Sequence, residues 1–148
     1  MTVDGIKTEL FKKYKKEIQT GIFFSLFDRS NKLLASNGVL ETDKSLNDLL
    51  DIMYTGIIMK YPGAKTIVAD VVKNLTPQSD ITTFMTLSPK EHGIFMINKT
   101  DNKSWVLLPN VVGVNDMKSA ITFVKQRFWL SGTVEIYTFK TEKTIIIN

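Results

Sequence analysis

Apolar residues recur along this chain with two periods. Ile6, Leu10, Tyr14 and Ile18 are four apart, so Val3 to Gln19 reads as a helix with one apolar stripe, widened by Phe11 and closed by Gly21. Ile22 to Phe27 is apolar at five of six positions, as in a strand buried on both faces. Asp28-Arg29-Ser30-Asn31 has turn chemistry, and Lys32 to Leu40 resumes an extended pattern, which predicts an antiparallel hairpin. Gly38 near its end marks a bulge or a close backbone approach. Leu46, Leu49, Leu50, Met53, Ile57 and Ile58 carry helical spacing behind a Ser45/Asp48 capping pair, and Pro62-Gly63 stops that helix. Ala64 to Asn74 reads as a short helix, with strand as the alternative because Ile67, Val68, Val71 and Val72 are β-branched.

Beyond Thr76-Pro77 the pattern predicts strands over Ile81 to Leu87, Gly93 to Asn98 and Ser104 to Leu108, with a polar turn at Lys99 to Lys103. Asp116 to Trp129 reads as an amphipathic helix capped by Asn115. Thr133 to Phe139 alternates as a strand, and Thr144 to Ile147 adds a β-branched tail. Hairpins dominate and βαβ units do not repeat. The fold class expected is therefore α+β: a single domain over residues 1–148, mostly antiparallel sheet with helices packed on it.

Composition narrows the chemistry. The 148 residues include no cysteine, which excludes disulfides, zinc ribbons, iron–sulfur clusters and a cysteine nucleophile. A single histidine argues against an all-protein transition-metal site, and no metal or cofactor is expected. No stretch approaches the ~20 apolar residues of a membrane span, and the N-terminus lacks a signal-peptide layout, so a cytoplasmic protein is expected. The net charge is +4, with four lysines in Lys12-Lys13-Tyr14-Lys15-Lys16. They read as a solvated face of the first helix, which argues against a nucleic-acid partner. A phosphate or anionic-surface contact is the alternative, and it would weaken with salt. Trp105 is expected in the core, and of Phe128 and Trp129 one should point outward.

Three segments carry a family resemblance. Gly21-Ile22-Phe23-Phe24-Ser25-Leu26 is followed by the turn and Lys32-Leu33; Phe84-Met85-Thr86-Leu87-Ser88-Pro89 leads to His92-Gly93-Ile94; and Trp105-Val106-Leu107-Leu108-Pro109-Asn110-Val111 is followed by a helix and Glu135-Ile136-Tyr137-Thr138-Phe139. In order and spacing they resemble the AMMECR-type domain. Where that family reads Leu-Arg-Gly-Cys-Ile-Gly, this chain reads Leu33-Leu34-Ala35-Ser36-Asn37-Gly38. The arginine, the first glycine and the cysteine are replaced. The resemblance implies a divergent AMMECR-type binding or accessory module. Its degenerate pocket would be formed by Leu34, Ala35, Ser36, Asn37, Gly38 and His92, and would take a protein or small-molecule partner. Phe27 to Gly38 also resembles the hairpin of roadblock-type domains, which implies a homodimeric scaffold.

A third reading is a small enzyme with Ser36 as nucleophile and His92 as base, which requires the two side chains within hydrogen-bond reach. The plainer reading is a hairpin serine and a turn histidine, and neither lies in a nucleophile elbow. No phosphate loop, dinucleotide fingerprint or calcium loop is present.

Overall fold

The computed structural model describes residues 1–100, 102–111, 113–128 and 134–148, without the side chains of Lys125, Arg127 and Phe128. Trp129 and Thr133 therefore lie outside the described residues, as does the side chain of Phe128. The elements are α1 (Val3–Leu10), β1 (Ile22–Phe27), β2 (Leu33–Val39), α2 (Leu46–Gly56), a 3-10 turn (Ile58–Lys60), β3 (Thr66–Pro77), α3 (Ile81–Thr86), β4 (Gly93–Asn98), β5 (Lys103–Leu107), α4 (Met117–Phe128) and β6 (Glu135–Ile147). The strands follow the order β2-β1-β3-β6-β4-β5. The described pairings are antiparallel, so the α+β class holds.

The chain divides into two compact units, one of Met1–Val72 with Glu142–Asn148 and one of Lys73–Thr141. In the first unit, α1 and α2 cover one face of the sheet. Ile22, Phe24 and Leu26 from β1, Ile67, Ala69 and Val71 from β3, and Ile146 from β6 meet Ile6, Leu10, Leu46, Leu49, Leu50 and Met53 from the helices. Phe24 and Leu26 are fully buried, which contributes about 1.5–3 kcal/mol apiece. Ser45 caps α2 through the Asp48 amide at 3.2 Å, and Lys7 of α1 pairs with Asp51 of α2 at 2.7 Å. The second unit has its own core of Phe84, Ile94, Met96, Leu107, Met117, Ala120 and Val124, with Trp105 half-buried against it and tilted on Phe123.

Several predicted elements differ from those observed. The first helix ends at Leu10, so the lysine run is not on a helix. Tertiary bonds take over there: the Leu46 amide donates to the Ile18 carbonyl, the Asn47 amide to the Lys16 carbonyl, and Tyr14 Oη to Glu142. The segment predicted as a helix over Ala64 to Asn74 is strand from Thr66 on, within β3 (Thr66–Pro77), because β-branched residues fit a pleated surface flanked by β1. The strand predicted over Ile81 to Leu87 is instead the helix Ile81–Thr86, because Asp80 accepts from the Thr82 amide at 3.0 Å and caps it. Asp116 rather than Asn115 accepts from the Ser119 amide, at 2.7 Å. The two C-terminal strand segments are one strand, β6.

Candidate functional site

The predicted site residues sit mainly on the β1–β2 hairpin. Asp28 builds its turn: Oδ1 accepts from the Ser30 amide, the Ser30 hydroxyl and the Lys32 amide at 2.8–2.9 Å. These donors, led by Lys32, hold the Asp28 carboxyl below its ordinary value. Asn31 takes the left-handed conformation the turn needs, at φ 65°.

From that turn β2 runs back with Ala35 opposite Leu26, Ser36 opposite Ser25, Asn37 opposite Phe24 and Gly38 opposite Phe23. Leu34 and Ala35 are partly buried against the helix-side core. The Ser36 side chain lies on the other face, where its hydroxyl meets that of Ser25 at 3.1 Å. Asn37 turns its Oδ1 onto the Gly38 amide at 2.8 Å. Gly38 has no room for a Cβ, which would strike Phe23 Cα and the Ile22 carbonyl. The close approach expected there is what forbids a side chain.

His92 belongs to the second unit, at the entry to β4. Its amide donates to the Ser88 carbonyl at 2.9 Å, and Nδ1 lies 3.2 Å from the same oxygen. A carbonyl only accepts, so this contact places the ring proton on Nδ1. Ser36 and His92 thus each have their own partner, a hydroxyl for one and a carbonyl for the other.

Two residues outside the predicted set share the sheet face of Ser25. Asp70 stands in β3 opposite Phe23, with its side chain 2% exposed, and Lys143 Nζ of β6 meets it at 2.6 Å. An acid inside the apolar run Ile67-Val68-Ala69-Asp70-Val71-Val72 was the available sequence signal. Ile146 points into the helix-side core, so Lys143, Ile145 and Ile147 alternate onto the opposite face. Ile145 is 63% exposed there and Ile147 79%. The exposed part of that face therefore combines a hydroxyl pair, the half-exposed Lys143 ammonium and bare isoleucine, while the Asp70 carboxylate is buried.

Phe11 to Glu17, the lysine turn, line a shallow surface depression of about 450 Å³. Lys13 is committed to the Lys143 carbonyl and Thr144, and Lys12 to Glu9. Burial, then the bond to Glu142, pushes the Tyr14 phenol well above its ordinary range. Among the described residues no group of acidic, histidine or cysteine side chains could hold a metal ion, and no helix is long and apolar enough to cross a membrane.

No protein-family model matches the chain, and no curated protein matches its sequence. The fold is similar to the crystal structure of an uncharacterised protein from Pyrococcus horikoshii, at a TM-score of 0.69 and 13% identity over 97% of this chain and 86% of that one. At this identity the likeness extends to the fold.

Proposed function

We propose that the chain is a non-catalytic binding module of AMMECR type, which engages its ligand or partner through the open sheet face beside the β1–β2 hairpin. One observation carries the reading: the face exposes Ile145 and Ile147 alongside the Ser25–Ser36 hydroxyl pair. Contiguous exposed apolar surface marks interaction sites, and a few polar groups within it fix orientation. A nucleophilic serine needs a base on its hydroxyl, whereas the hydrogen-bond partner of Ser36 is another hydroxyl. The loss of the family's arginine and cysteine points the same way.

Amide-resolved NMR of the labelled protein against a library of small polar and aromatic fragments tests this. Shifts clustering on Ser25, Ser36 and Ile145 to Ile147 are expected. Shifts confined to the lysine turn or to the second unit would contradict it.

A further inference from the structure

The chain contains a single Asn-Gly pair, Asn37-Gly38, and β2 presents its reactive atoms outward. The Gly21 carbonyl accepts from the Val72 amide of β3. In an antiparallel ladder successive residues bond to alternate neighbours, so Phe23 also bonds toward β3. Its partner across the hairpin, Gly38, is therefore in a non-hydrogen-bonded pair. The Gly38 N–H points away from β1, and β2 is terminal in the strand order. The acceptor of that N–H is Asn37 Oδ1, at 2.8 Å. A carbonyl bond adds about 1.2 Å, which puts Asn37 Cγ within about 4 Å of the Gly38 nitrogen. The Asn37 side chain is exposed to water.

A side chain at position 38 would shield that nitrogen. The packing of β1 forbids one, since a Cβ would strike the Ile22 carbonyl and Phe23 Cα. We infer that Asn37 is a site of intramolecular deamidation. The Gly38 nitrogen attacks Asn37 Cγ, and its proton goes to the side-chain nitrogen, which leaves as ammonia. The new N–Cγ bond closes a succinimide ring through Cβ, Cα and the main-chain carbonyl carbon. Water, the only co-reactant, then opens the ring. Attack at Cγ gives aspartate; attack at the main-chain carbonyl gives iso-aspartate, with the backbone rerouted through Cγ. Either product places a carboxylate on a strand that otherwise carries no charge. Iso-aspartate also adds a methylene to the backbone, so the pairs Ile22–Val39 and Leu26–Ala35 on either side of it cannot both keep their register. This inference stands apart from the ligand-binding reading, since it uses the strand's outer edge and not the sheet's face.

Prolonged incubation in mildly alkaline buffer tests it. The intact mass should gain the difference between water and ammonia, and peptide mapping should place the change at Asn37 as a mixture of aspartate and iso-aspartate. The rate there should exceed by about tenfold or more the rates at Asn31 and Asn74, which are exposed but precede residues with side chains. Asn37→Gln must close a larger ring and should slow the change at this position by about tenfold or more. The same chain unfolded in urea sets the scale. An amide locked in a ladder must open before it reacts, whereas Asn37 in the folded protein should react within about tenfold of its unfolded rate. A slower folded rate overturns the inference. So does aspartate without iso-aspartate, a rate at Asn37 short of the stated excess over Asn31 and Asn74, or an Asn37→Gln chain that changes as fast as wild type.

Discussion

Asp70 carries a carboxylate into a buried strand position, and Lys143 answers it at 2.6 Å. Breaking a fully buried pair costs about 3–5 kcal/mol; here the lysine is half-exposed and water replaces part of it. Lys143→Met is therefore expected to cost about 1–3 kcal/mol, read as a lower midpoint in urea unfolding; an unchanged midpoint would contradict the pairing. Gly38 is held to hydrogen by the backbone of β1. Gly38→Val should destabilise by about 2 kcal/mol or more in the same assay, and a neutral result would mean that the hairpin can splay at no cost. Asp28 makes a pH prediction. Its carboxyl is depressed on folding from an ordinary 3.8 by the Lys32 and Ser30 donors, so its contribution is present above that pH and lost as the pH falls through the folded value. In an acid titration followed by NMR, the Ser30 and Lys32 amide shifts should move with a midpoint below pH 3.8. A midpoint at or above pH 3.8 would contradict the depressed value.

At the scale of elements, the sequence was legible where periodicity and capping agreed. The β1–β2 hairpin and α2 lie close to where their patterns put them, because turn chemistry at Asp28 and a cap at Ser45 reinforced the apolar spacing. The next two segments exchanged types. Ile67, Val68, Val71 and Val72 fit the spacing of a helix face as well as both faces of a strand, and the pairing with β1 decides for strand. Ile81 to Leu87 has strand-forming residues, yet of α3 Phe84 is the residue that is buried, and the Asp80 cap outweighs local propensity. Asp80→Ala should cost about 1 kcal/mol, with faster hydrogen exchange at Thr82. Unchanged exchange would show that the cap is dispensable. The hairpin position of Ser36 could be read from sequence. The Asp70–Lys143 pair could not, because its partners stand 73 residues apart and meet through strand order.

For the whole molecule, the α+β class followed from hairpins outnumbering crossovers, and the similarity to the Pyrococcus horikoshii structure extends that agreement to the fold. We propose that the hairpin and the sheet face beside it bind a partner without reacting with it. A fluorophosphonate probe labels a serine whose hydroxyl is activated by a base, and intact mass spectrometry reads the adduct directly. Incubation of the native protein with excess probe should leave its mass unchanged, as expected for a Ser36 hydroxyl paired with Ser25. A single adduct that maps to Ser36 and disappears in Ser36→Ala would contradict the account and restore the enzyme reading.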